Sequence, residues 1–325
     1  MTVSGKIQFV TNIEAGDEVE DVFSVKYKKP PKRYAGGLMF EVRVADRTGA
    51  INVKFWGTPD ETAVRKEYES FKAGDVVRIR GQAGIYKDIT EISVNLGSGG
   101  FVRPVTSQEY EYGDFVASSE KDVDWMMTQL NCYVDKVENQ YLLRMLHSFY
   151  SDPEFVEKFK RAPASISIHA NWIGGLLEHT LNVAFICDFL SSIYPKLDKD
   201  LLLTGALLHD IGKVVEYSVT TNIDESVDGM LRGHLVAGAE MAMRSCEGIP
   251  GFPDNLKLKI AHMILSHHGK PEQGSPKKPQ FPEALVVSLA DDMDAQIEQY
   301  TRAREEAQTD SLWTYTKRLG PVYLG

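Results

Sequence analysis

The chain has 325 residues, 43% of them hydrophobic and 25% charged, with a formal net charge of −10. That length exceeds one ordinary domain and predicts two, and the composition is globular, which excludes a disordered or fibrous chain. No uninterrupted apolar run approaches the ~18 residues of a membrane span, and no basic start with an apolar run marks a secretory leader, so neither membrane insertion nor export is expected. Three well-separated cysteines, Cys132, Cys187 and Cys246, predict reduced thiols, a cytoplasmic protein and no thiolate metal site.

The charge is uneven. Residues 1–105 hold 16 Lys+Arg against 14 Asp+Glu, whereas the remaining 220 hold 20 against 32. The acidic part either surrounds bound cations or is a solvated surface; an acidic chain as a whole disfavours phosphate binding.

In residues 1–105 the hydrophobic period is two. Leu38, Phe40, Val42 and Val44 alternate with Met39, Glu41 and Arg43, the run breaks at Asp46-Arg47-Thr48-Gly49, and Ile51, Val53 and Phe55 resume it against Asn52, Lys54 and Trp56. This is a hairpin. TPDETAVRKEYESFK follows as a short helix, then AGDVVRIRGQAGIY sets Val77 and Ile79 against Arg78 and Arg80, with strands ending near Val94. Strands, one helix after the third and then more strands resemble a five-stranded OB-type barrel, a fold that commonly binds single-stranded nucleic acid. Its outward set of Arg43, Lys54, Trp56, Arg78, Arg80 and Tyr86 mixes cations with aromatics, and VKYKKPPKRYAGG adds Lys28, Lys29, Lys32 and Arg33. Such a face suits phosphates and stacked bases; the competing reading is a solvated face with edge-strand lysines. The polar stretch 106–122 reads as a linker.

From 123 to 325 the spacing is helical. Gly174-Gly175 precedes a helix that stops at Pro195; Asp198 or Asp200 caps the next, which carries His209 and Asp210; Asp254 caps a third leading to His267 and His268; Pro282 opens a long fourth with Asp291. His234 stands at the start of another helix. A histidine and an aspartate side by side within the apolar run ALLHDIGKVVE cannot both face solvent, and a buried carboxylate needs a cationic partner or a metal.

His179, then His209-Asp210 with Ile211-Gly212-Lys213, then His234, His267-His268 and a late Asp291 resemble the HD-domain family of metal-dependent phosphohydrolases. With GGLLEHT, ALLHDIGK, LSHHGKPEQGSP and ADDMDA in succession behind an OB-like domain, the chain is most similar to the YhaM type of 3′→5′ exoribonuclease. The resemblance implies that His179, His209, Asp210 and Asp291 ligate one divalent metal and that His234 with His267 or His268 joins a second. Nitrogen and oxygen donors without thiolate suit Mn²⁺ first, then Fe²⁺, Co²⁺ or Ni²⁺, with Mg²⁺ alone disfavoured. Asp210 is expected to be catalytic, with Lys213 reaching a phosphate oxygen or pairing with Asp210. His169 and Lys270, the latter in a loop with Lys277 and Lys278, are expected along the substrate path. The implied activity is metal-dependent 3′→5′ hydrolysis of single-stranded RNA, with single-stranded DNA as a second substrate. The rivals are a nucleotide or cyclic-nucleotide phosphohydrolase with a regulatory OB domain, and a non-catalytic nucleic-acid-binding protein. A homo-oligomer is left open.

Overall fold

The structure, a computed structural model, describes residues 5–87, 89–165, 172–307, 309 and 311–325. It divides into two compact units, one of residues 1–117 with 219–223 and one of residues 118–218 with 224–325.

The first unit is a closed barrel. Its strands are β1 (Glu18–Lys28), β2 (Lys32–Tyr34), β3 (Gly37–Asp46), β4 (Gly49–Trp56), β5 (Val76–Tyr86), β6 (Ile89–Asn95) and β7 (Phe101–Pro104), with α1 (Glu61–Glu69) between β4 and β5. β1 pairs antiparallel with both β3 and β5, β3 with β4, and β5 with β6, while β4 and β6 run parallel; the circuit β1-β3-β4-β6-β5-β1 closes. This is the five-stranded OB fold, with the helix where the sequence places it. The inward set of every second residue fills the barrel: Phe40, Val42, Val53, Phe55, Ile79 and Ile92 are 0–1% exposed, and the Phe40 and Phe55 rings stack at 4.5 Å. Met39, expected on the outward set, is buried as well, beside Trp56 in the register. The stretch 106–122 is not a free linker: Phe115 and Val116 are buried and Asp114 accepts from Lys6 N in the first unit, while Ser119 Oγ donates to Glu178 in the second.

The second unit is helical: α2 (Val123–Val134), α3 (Gln140–Tyr150), α4 (Pro153–Arg161), α5 (Gly175–Ile193), α6 (Lys199–Leu208), α7 (Lys213–Glu216), α8 (Val227–Glu247), α9 (Asp254–Ser266) and α10 (Pro282–Glu305), with a small hairpin β10 (Trp313–Thr316)–β11 (Gly320–Tyr323); a further hairpin, β8 (Tyr217–Val219)–β9 (Ile223–Glu225), has its residues 219–223 in the first unit. Asp198 caps α6 through Leu201 N (3.0 Å), as read from the sequence. Asp254 does not cap α9; it is that helix's first residue, behind Pro253. By length and composition α5 could cross a membrane, which the sequence reading did not register, but here it is packed: Leu176, Leu177, Val183, Ala184 and Cys187 are all buried in the helical core with Leu130, Met145, Leu203, Ile264 and Val287.

Candidate metal centre and nucleic-acid face

α6 ends at Leu208, so His209 and Asp210 stand on the turn beyond it and not in mid-helix. The last carbonyls of a helix lack partners along the helix, and His209 uses one: its Nδ1 lies 2.8 Å from Ala206 O. His267, which caps the end of α9, does the same with Ile264 O at 2.8 Å. A carbonyl only accepts, so Nδ1 carries the proton in both rings and Nε2 is left as a lone pair. Carboxylates orient two further rings: His179 Nδ1 lies 2.7 Å from Asp294 Oδ2, while Asn182 Nδ2 donates to Asp294 Oδ1, and His234 Nδ1 lies 2.9 Å from Glu216 Oε2. Four imidazoles thus turn their Nε2 atoms inward, each fixed by a partner on Nδ1.

Those atoms converge in two groups, His179, His209, Asp210 and Asp291 in one and His234, His267 and His268 in the other, each with its donor atoms within 4.8 Å of one another. Asp210 stands between them. Its Oδ2 is 3.4 Å from His209 Nε2 and 3.6 Å from His179 Nε2, and its Oδ1 is 3.4 Å from His267 Nε2 and 3.6 Å from His234 Nε2. His179 Nε2 is also 3.1 Å from Asp291 Oδ1. Donors about 2.1 Å from a common ion at tetrahedral or octahedral angles are separated by about 3.0–3.4 Å, so these spacings fit a metal. A sharper test is chemical. Asp210 Oδ1 and His267 Nε2 are buried and have no hydrogen-bond partner; two lone pairs facing each other at 3.4 Å are an arrangement that a bound cation would satisfy. The donor set fits. Both His267 and His268 belong to the second group, and His268 Nδ1 also faces Asp291 Oδ2 at 3.7 Å.

Charge follows the same geometry. Burial alone would raise the Asp210 carboxyl, but the Lys213 ammonium and His209 hold it well below the usual carboxylate range. Burial would likewise raise Asp291, which the facing His179 and His268 rings hold down. Burial pushes His267 down to about 4, with His268 adding to the effect, so its lone pair is free at neutral pH. For His179 burial works downward, but Asp291 and Asp294 on its two nitrogens overcome it and raise the ring to about 10.

Two glycines make the arrangement buildable. A Cβ on Gly212 would lie 2.0 Å from His234 O and 2.6 Å from Gly238 N, so only a bare backbone lets α8 close over the HD turn. Gly233 has φ 68° and ψ 164°, interrupting α8 just before His234; past this break both the His234 backbone N–H and its ring reach Glu216. His234 therefore opens the second of the two helical segments that meet at this kink, at the helix start where the sequence places it.

Lys213 is buried with its ammonium 2.6 Å from Asp210 Oδ2; of the two roles considered for it, this arrangement is the ion pair. Lys270 is exposed in the loop after His268. His169 lies outside the described residues. The sequence reading missed Glu216, Asn182 and the role of Asp294. The available signals were a carboxylate closing the apolar run ALLHDIGKVVE, and Asp294 one helical turn after Asp291.

On the barrel, Arg43, Lys54, Trp56 and Tyr86 share the outer side of β3-β4-β6-β5, since the registers set Arg43 opposite Asn52 and Lys54 opposite Ser93. Lys54 Nζ lies 3.7 Å over the Tyr86 ring, and Trp56 meets Tyr34 edge-on at 5.1 Å. Arg78 and Arg80 continue along β5. Most of the cations are paired, which the sequence reading did not foresee. Lys29 and Lys32 clamp Glu41 at 2.7 and 2.8 Å and lower its carboxyl to about 2. Arg33 meets Glu61 at 2.8 Å, Lys54 meets Glu91 at 2.7 Å, and Arg80 meets Glu20 at 3.4 Å. Lys28 turns inward to the carbonyls of Tyr68, in the last turn of α1, and Phe71, just beyond it, so it supports the fold.

Comparison with known proteins agrees with this division. A family model for the HD domain matches residues 176–296, which include every member of both histidine groups, and one described as an OB-fold nucleic acid binding domain matches residues 22–96. Proteins named 3′-5′ exoribonuclease YhaM are similar along most of the chain. That of Halalkalibacterium halodurans is 30% identical over 91% of this chain and 88% of its own length; that of Shouchella clausii is 32% identical over 82% and 79%; and that of Bacillus subtilis is 27% identical over 94% and 93%. With both domains in the same order and the relatives matched over nearly their full length, the chain belongs to the YhaM family.

Proposed function

We propose that this protein is a 3′→5′ exoribonuclease that hydrolyses single-stranded RNA, with single-stranded DNA as a second substrate, to nucleoside 5′-monophosphates, using two divalent ions, manganese foremost. The observation that carries the reading is Asp210, whose two oxygens face two different pairs of imidazoles, with Oδ1 and His267 Nε2 orphaned between them. Bound divalent ions supply Lewis acidity and a water acidified toward neutrality. The chain's own residues do the rest. Asp210 presents one oxygen to each group, and Lys213 fixes it and offsets its buried charge. Asp294 and Glu216 keep the His179 and His234 rings in the tautomer and orientation that leave Nε2 inward. Hydrolysis to a 5′-monophosphate forms a bond from water oxygen to phosphorus and breaks the bond from phosphorus to the 3′ oxygen, which leaves with a proton. The direction rests on the relatives' name. The strand preference has a physical support: His179, His209, Asp210 and His267 are at most 1% exposed, so a flexible end can enter where a stiff duplex cannot without unpairing.

The test is a 5′-labelled oligoribonucleotide, free or annealed to its complement, followed over time with and without Mn²⁺. Stepwise shortening of the free strand, with 5′-monophosphates as products and only with metal, is expected. Immediate labelled mononucleotide would reverse the polarity, and faster hydrolysis of mononucleotides or cyclic nucleotides would move the activity to small molecules.

A further inference from the structure

The last fifteen residues, 311–325, form a surface of different character from the rest of the helical unit. They contain Lys317 and Arg318 and no carboxylate, at the end of a region in which acids outnumber bases by 32 to 20. In the β10–β11 hairpin Trp313 pairs with Tyr323 and Tyr315 with Pro321. Side chains alternate across a strand, so these four share one face, while Thr314, Thr316 and the buried Val322 share the other. The hairpin packs on α10. Its outer rings are the anomaly: Trp313, Tyr315 and Tyr323 are 55%, 75% and 52% exposed, with the Trp313 and Tyr323 rings 5.2 Å apart. The turn that joins the strands carries Lys317 and Arg318, both exposed, and among the described residues neither has a carboxylate within ion-pair reach.

We propose that this hairpin is a second binding platform for single-stranded RNA, on which bases stack against Trp313, Tyr315 and Tyr323 while Lys317 and Arg318 meet the phosphates. The inference rests on the nuclease reading and extends it. Aromatic faces flanked by unpaired cations are what a sequence-tolerant single-strand site requires, whereas a protein-docking face of the same rings would not need its only charges to be positive. On the barrel, by contrast, Lys29, Lys32, Arg33, Lys54 and Arg80 are paired with Glu41, Glu61, Glu91 and Glu20. Location agrees as well. Asp291 and the helix segment under the hairpin belong to the same α10, and at about 1.5 Å per residue eleven residues along it, at Arg302, the distance is roughly 16 Å, a span a short length of strand can bridge.

The test is equilibrium binding of a fluorescent single-stranded oligoribonucleotide to the full chain with a chelator present, so that no turnover interferes. Trp313→Ala with Tyr315→Ala is expected to weaken binding about tenfold or more, and Trp313→Phe with Tyr315→Phe to retain it, because a ring remains. Lys317→Ala with Arg318→Ala, at an exposed turn that the fold does not need, is expected to lower the slope of log affinity against log salt by about 1.4. Wild-type affinity in both the double-alanine ring variant and the cation variant overturns the proposal while leaving the nuclease reading intact. A ring variant that binds RNA normally but changes the sedimentation of the protein also overturns it, making the face a self-association surface. Failure of the wild-type chain to bind RNA at all overturns the nuclease reading, and this proposal with it.

Discussion

Asp210 divides its oxygens between two sets of imidazoles, so its loss affects both. Asp210→Asn removes the charge but little volume and is expected to lower kcat by at least 10³, about 4 kcal/mol of barrier, in a protein whose circular dichroism is unchanged; steady-state kinetics check this. Asp294 reaches the centre only through His179. Asp294→Asn is therefore expected to weaken Mn²⁺ binding about 10–100-fold, read by titration, with a smaller effect at saturating metal. His179 carries a further consequence. Carboxylates face both of its nitrogens, Asp294 at 2.7 Å and Asp291 at 3.1 Å, and the ring is raised to about 10, so without metal it is protonated at neutral pH. A metal must displace that proton from Nε2. Binding should release about one proton at pH 7.5, and apparent affinity should rise as pH climbs toward about 10, measured by calorimetry in buffers of different ionisation enthalpy. The ligand types were legible in the sequence because their order and spacing carry the pattern. Asp294 and Glu216 were not, because a carboxylate that orients a ring from a neighbouring helix looks in sequence like any solvated charge.

At the scale of elements, the centre is built from helix ends. His209 and His267 each take a carbonyl left free in the last turn of the helix they follow, so the end of a helix both terminates the apolar run and fixes the tautomer. The sequence put His209 and Asp210 in mid-helix because apolar spacing continues through Ile211; periodicity sees burial, not the change in backbone direction at Leu208. Gly212 is the element-scale test. With His234 O 2.0 Å from its virtual Cβ, Gly212→Ala forces α8 outward, and we expect a loss of about 2 kcal/mol or more, together with weakened metal binding at the His234 group. Thermal melts and metal content measure the two effects. Strands such as β4 and β6 were legible for the opposite reason, since a period of two survives in them, whereas β1, which buries five residues in a row, carries no such alternation and was not legible. The pairing of its cations was not, because whether Lys54 meets Glu91 depends on the β4–β6 register, which no local pattern encodes.

Across the whole molecule, the imidazole–carboxylate groups belong to the helical unit and the nucleic-acid-binding OB fold to the barrel. The barrel offers rings more than net charge, so Trp56→Ala with Tyr86→Ala is expected to weaken binding of a long single strand by about 1–3 kcal/mol per ring, measured by anisotropy, with Mn²⁺ binding unchanged. Such a result locates affinity on the barrel and leaves the metal centre to the helical unit. The acidic balance of that unit, ambiguous in the sequence, has part of its explanation in Asp210, Glu216, Asp291 and Asp294, all gathered around the imidazoles. The central claim is that one carboxylate joins two metal positions. It is tested most directly by loading the purified protein with Mn²⁺, counting bound ions per chain and recording the electron paramagnetic resonance spectrum. Two ions per chain are expected, with a spin-coupled spectrum that Asp210→Asn abolishes; a single ion with an isolated six-line signal, unchanged in Asp210→Asn, would rule out the shared carboxylate.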